Sequence, residues 1–272
     1  MAIDLRNVPQ DKQTYAMCLA SVQADGMQVK YVCEKYQTKE IYLEAVRQNG
    51  MVLSFVKDQT PAICLAAVNQ DWRALEYVKD QTPAICLAAV CHTGKALEYV
   101  KDQTPEICLV AVKRWGHALE YVKDQSSEIC LAAVRKDGNA LKYVKDQTPE
   151  ICLAAVQDNG WALQYVEKQT PEICLAAVKQ EGWALEYVKN QTPEICLAAV
   201  QKTGLVLLEI ENQTLPIAIA ALKQNPKSRK FLDDKFRTPQ VYKAAGYDYK
   251  PEDLVPLHND VERRQSETRH AR

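Results

Sequence analysis

Seven cysteines stand at a constant interval of 22 residues: Cys64, Cys86, Cys108, Cys130, Cys152, Cys174 and Cys196. Thiols in a regular row could form disulfides or hold metal. Their spacing argues against both. None belongs to a CxxC pair, and each lies inside the same apolar run, I-C-L-A-A-V, where a free cysteine behaves as a small hydrophobe. Reduced thiols, and so an intracellular setting, are expected. His92, His117, His258 and His270 are scattered over different copies of the pattern or in the tail, without a second ligand pair nearby. Carboxylates form two rows, Glu106, Glu128, Glu150, Glu172 and Glu194, and Asp58, Asp80, Asp102, Asp124 and Asp146. Such rows could attract cations, but helix-end electrostatics explains them more simply. No phosphate-binding loop, dinucleotide fingerprint, zinc-protease motif or nucleophile elbow occurs. An active site needs a unique pocket with tuned groups, and rows of equivalent side chains are the opposite. No enzyme activity, cofactor or metal is expected.

The elements that carry these rows are copies of one unit, T-P-E-I-C-L-A-A-V-K-Q-x-G-x-A-L-E-Y-V-K-D-Q, with 22 positions. Copies three to nine begin at Thr60, Thr82, Thr104, Ser126, Thr148, Thr170 and Thr192; a diverged tenth begins at Thr214. Two earlier copies begin at Thr14 and Thr38, and an eleventh, shorter one at Thr238. The fold expected is all-α: a solenoid of about ten 22-residue two-helix repeats. The chain divides into an N-terminal segment 1–13, the solenoid 14–225, a C-terminal capping region 226–250 and a polar tail 251–272, expected to be partly disordered.

In the unit Thr at position 1 is a good N-cap and Pro at position 2 fits the first helical turn. The following helix is apolar on most of its circumference, so it is expected to be covered from several directions. Small residues at positions 7 and 8 suit a close seam, and Ala132→Leu is expected to overpack it. Gly at position 13 is expected to end the helix in a left-handed conformation. Trp72 holds that position in the third copy, where a different or strained turn is expected. Positions 15, 16, 18 and 19 fall on one arc of about 160° at 100° per residue, which predicts a second, shorter α-helix. Glu at 17 and Lys at 20 lie outside the arc and are expected to pair in solvent.

The motif TPEICLAAVKQxGxALEYVKDQT resembles the repeat called domain of unknown function 4116 over nearly all of residues 14–213. That repeat is found in tandem in proteins of amoeba-associated and intracellular bacteria, including Legionella-type effectors, and in some large viruses. The resemblance implies a helical repeat and a host-cell setting, and supplies no catalytic residues.

Binding residues are sought where the copies differ. Positions 10, 11, 12 and 14 vary, and position 14 runs Met27, Met51, Arg73, Lys95, His117, Asn139, Trp161, Trp183, Leu205. The candidate surface is Lys113, Arg114, Trp115, His117, Arg135, Lys136, Asn139, Trp161 and Trp183. Within it, Trp161 and Trp183 hold one position in adjacent copies and form a candidate exposed pair. The packing of these rings against a neighbouring turn is the competing reading. The function expected is a non-catalytic protein–protein interaction module, in the manner of a bacterial effector that binds a host protein. A structural or self-associating role is one alternative. Nucleic-acid binding through the basic-aromatic patch is the other, disfavoured by a formal net charge of −1. Oligomeric state stays open. No apolar run is long enough to span a membrane, and MAIDLRNVPQ lacks the form of a secretory signal. A cytoplasmic location, or delivery into a host cytosol, is expected.

Overall fold

The computed structural model describes residues 3–254. Among them every regular element is helical, and the arrangement is an all-α repeat solenoid. The chain falls into two compact units that meet in sequence between Lys136 and Asp137. Unit one contains α1 (Tyr15–Ala24), α2 (Lys39–Gln48), α3 (Pro61–Gln70), α4 (Pro83–His92), α5 (Pro105–Arg114) and α6 (Ser127–Lys136). Unit two contains α7 (Pro149–Asp158), α8 (Pro171–Gln180), α9 (Pro193–Lys202), α10 (Leu215–Gln224) and α11 (Pro239–Ala244). Within each unit every α-helix packs on the next in chain order, and so do the shorter helices between them. Ahead of α1, Leu5 is buried, and its N–H donates to the Gln28 side chain at 2.9 Å. Of the polar tail 251–272, only the turn Pro251–Leu254 is among the described residues; the rest lies outside them.

The α-helices other than α10, whose Thr214 makes no side-chain cap, begin as the cap chemistry dictates. Thr170 Oγ1 accepts from Ile173 N–H at 3.3 Å, and Ser126 takes the same role toward Ile129 in copy six. Such a cap contributes about 1 kcal/mol. The end is set at position 12, in extended conformation: Asn159 has φ −141° and ψ 108°. Its N–H still donates to Ala155 C=O, while its side chain accepts from Trp161 N–H at 3.1 Å. One residue thus closes one helix and opens the next.

The second element is not the α-helix that the 100° arc predicts. It is a six-residue 3-10 helix, as in Gly160–Tyr165 and Gly182–Tyr187. At three residues per turn, positions 13, 16 and 19 stack on one line. Gly160, Leu163 and Val166 are accordingly buried together. The glycine does not take a left-handed conformation either; among the described glycines Gly246 alone has positive φ. It is required by close approach. A Cβ on Gly160 would lie 2.6 Å from the Ala177 carbonyl oxygen in the next copy.

Trp72 takes the glycine position without altering its own turn, since Asp71 keeps φ −146° and ψ 114°. The neighbour yields instead. In α4 the closing bond Thr93 N to Ala89 O stretches to 3.4 Å, against 2.8–2.9 Å at Asp71, Trp115, Asn159, Glu181 and Thr203. The Trp72 ring lies beside Tyr99 of that copy, 5.9 Å between centroids.

Positions 4, 5, 8, 9, 15, 16 and 19 form the core; in copy seven Ile151, Cys152, Ala155, Val156, Ala162, Leu163 and Val166 are at most 3% exposed. Positions 6 and 7 are not enclosed as expected. Leu65 is 37% exposed, and Leu109, Leu131 and Ala132 are half-buried. The close seam therefore falls on position 8, where Ala133 is buried, and the expectation for Ala132 is wrong: it has open space beside it.

A second correction concerns position 20. Lys79 and Lys101 do not pair with Glu76 and Glu98; their ammonium groups donate to backbone carbonyls of the preceding copy, Lys57 O at 2.8 Å and Val78 O at 3.0 Å. Beside them runs a row of glutamines at position 22. Gln169 Nε2 donates to Tyr187 O at 2.8 Å, and its Oε1 accepts from Lys189 N–H at 3.0 Å. Gln59, Gln81, Gln103 and Gln147 make the same two bonds to the copy that follows each. Each glutamine satisfies backbone groups that the short helix leaves over as it ends.

Candidate interaction surface

In unit one, the C-terminal end of α5 places Lys113 and Arg114 beside Trp115, and all three are exposed. Trp115 is 44% exposed, with the Arg114 guanidinium 5.9 Å from its ring centre, a cation–π arrangement. His117 lies exposed one residue beyond Gly116. Arg135 and Lys136 end α6 in the same way. Cations there also suit the negative end of the helix dipole.

Arg114 and Trp115 occupy two positions that serve the scaffold in other copies. At position 11, Gln70 accepts from Gly50 N–H, and in unit two Asp158, Gln180 and Gln224 accept from Gly138, Gly160 and Gly204 at 2.6–2.8 Å. A guanidinium or ammonium cannot accept such a bond. At position 12, Asp71, Thr93, Asp137, Asn159 and Glu181 cap the 3-10 helix, whereas Trp115 makes no side-chain cap. Lys136, at position 11 of copy six, departs in the same sense as Arg114.

Lys113, Arg135 and Lys136 line one shallow groove of about 490 Å³ between α5 and α6, with Glu128, Leu109, Leu131 and Ala132. Helical geometry puts positions 3, 6, 7 and 10 on one face. Hence Glu128, Leu131, Ala132 and Arg135 follow one another along α6. Three of the groove residues were named from the sequence. The leucines and Ala132 were not, because apolar residues common to all copies read as scaffold.

The other sequence candidates lie in unit two and do different work. Asn139 is half-buried, its N–H held by Asp137 Oδ1 at 2.9 Å. Trp161 and Trp183 are half-buried rather than an exposed pair. The Trp161 ring packs edge-on against Tyr187 of the next copy, 6.0 Å between centroids and 73° between planes. It belongs to the seam between copies. The glutamine row was also missed; its recurrence ahead of each of the first ten copies, from Gln13 to Gln213, was the available signal.

Burial pushes the thiols of Cys64, Cys86, Cys108, Cys152, Cys174 and Cys196 up from the ordinary cysteine range, which disfavours the nucleophilic thiolate. Cys64 Sγ points at Gln59 Oε1, 3.7 Å away, and Cys174 Sγ at Gln169 Oε1, 3.5 Å away. Cys91 is exposed. Among the described residues no helix is long and apolar enough to cross a membrane, and no group of three or more His, Cys, Asp or Glu could hold a metal ion.

The family model "Domain of unknown function (DUF4116)" matches residues 104–148, 126–170 and 148–192. Each match takes in two successive copies and is displaced from the previous one by a single copy. Residues 104–192 thus match the DUF4116 repeat in tandem. The matched stretch includes the α5 and α6 groove, Arg114 and Trp115. The chain matches no curated protein and no solved structure.

Proposed function

We propose that this repeat protein is a non-catalytic module for binding other proteins. The observation that carries the reading is the corner at Arg114 and Trp115. Position 12, whose side chain caps the short helix in the copies on either side through Thr93 and Asp137, holds here an exposed aromatic ring with the Arg114 cation against it. A local departure from a rule obeyed in neighbouring copies is where function is to be sought. Arg and Trp are also the residues that most often anchor interfaces. The stacked copies hold the backbone, so little ordering entropy is lost on docking. We place this activity in a cytosol, that of the producing cell or of a host into which the protein is delivered as an effector; the family resemblance supports the second.

Nucleic acid is the second reading, favoured by the same cations around Trp115. Capture from cell lysate on the immobilised chain, with and without nuclease, separates the two. Protein capture that survives nuclease and is lost in Arg114→Glu with Trp115→Ala supports the proposal. Capture abolished by nuclease and falling steeply with salt overturns it.

A further inference from the structure

We infer that the groove between α5 and α6 receives an acidic, amphipathic segment of a partner protein. This rests on the interaction-module reading and adds the chemistry of the partner. The groove floor is apolar: Leu109, Leu131 and Ala132 stay half-buried because positions 6 and 7 face away from the stack. Three cations, Lys113, Arg135 and Lys136, stand against one carboxylate, Glu128, along its lining. The cations gather where α5 and α6 end, and Glu128 sits where α6 begins. A complementary segment carries apolar side chains at helical spacing and carboxylates toward the cationic end. A volume of about 490 Å³ accommodates a few such side chains.

Neighbouring copies show that the arrangement is local. On the same face α3 and α4 carry Ala62, Asn69, Ala84 and Cys91, with no charge at either end. In unit two, position 10 alternates Gln157, Lys179, Gln201 and Lys223, so no two successive helices there both carry a cation as α5 and α6 do. Two other occupants fit less well. A second copy of this face would bring the same excess of positive charge against itself. Nucleic acid would gain nothing from the leucine floor, which offers no ring for stacking bases.

A displayed library of random peptides about 16 residues long is panned on the immobilised full-length protein, and recovered peptides are titrated by fluorescence anisotropy. The expected peptides are net acidic, with apolar residues at i, i+3 or i+4. Their affinity drops about tenfold or more in Lys113→Glu with Arg135→Glu, and again in Leu131→Gln. Unchanged circular dichroism shows that these variants fold, and Trp161→Ala in unit two leaves binding intact. Recovered peptides without acidic bias, or indifferent to both groove variants, overturn the groove assignment while leaving a protein-binding module standing. Sedimentation that shows a dimer dispersed by Arg135→Glu also overturns it, in favour of a second copy. Recovery of no peptide, together with nuclease-sensitive capture from lysate, removes both readings.

Discussion

The corner of copy five and that of copy eight share a backbone and differ in use. In copy eight, Gln180 accepts from Gly160 N–H at 2.8 Å and Glu181 from Trp183 N–H at 3.3 Å. In copy five the same positions hold Arg114 and Trp115, and neither supplies an acceptor. Both turns nevertheless form, with Glu181 at φ −140° and Trp115 at φ −135°. The turn is therefore specified by the buried positions around it, and copy three makes it even with Trp72 in place of glycine. The two polar positions add stability where they are used as caps, and are free for other work where they are not.

The largest effect is expected where the two corners should not differ. Gln169→Leu strips Tyr187 O and Lys189 N–H of their partner, and Gln103→Leu does the same to Tyr121 O and Lys123 N–H. Each should lower stability by about 3 kcal/mol in urea unfolding. A loss confined to one of them would mean that the two corners are not held alike. Transplanting copy-five chemistry into copy eight, Gln180→Arg with Glu181→Trp, should cost about 2 kcal/mol through one lost inter-copy bond and one lost cap. No loss would show that the caps are ornamental. The reverse exchange, Arg114→Gln with Trp115→Asn, should raise stability by about 1 kcal/mol while abolishing capture of partner protein. Gain of stability with binding retained would separate this corner from function. The smallest perturbation is chemical. With a thiol reagent at neutral pH, exposed Cys91 should react promptly, and the buried thiols only after unfolding. Equal native reactivity of all ten would contradict the core packing.

Much of the scaffold is legible in the residues themselves. Thr or Ser before the apolar run marks each helix start, in most copies followed by Pro, and the run holds four of the buried positions. The 3-10 character of the second element is not legible, because over six residues a three-residue period and a 3.6-residue period select nearly the same side chains. Gly at position 13 is ambiguous for a related reason: a left-handed cap and a close approach ask for the same residue. The cations of the groove stood out because they vary between copies. Its floor did not, since Leu109 and Leu131 look identical to every other leucine at position 6. Trp161 shows the limit of comparing equal positions: its partner is Tyr187, at a different position of the next copy.

The glutamine row bears on how such a gene can grow or shrink. In unit two Gln147, Gln169, Gln191 and Gln213 each reach forward to the backbone of the following copy, at Tyr165, Tyr187, Glu209 and Phe231. The same reach is 18 residues every time. Removing any 22 consecutive residues within the regular stretch rejoins a glutamine to a carbonyl at that distance, wherever the cut falls. Recombination between copies therefore need not respect the Thr-Pro boundary. An in-frame loss or gain of one period leaves every junction chemically familiar, while a shift of one or two residues leaves a glutamine facing the wrong carbonyl. Array length can drift in whole periods while the register inside each period stays fixed.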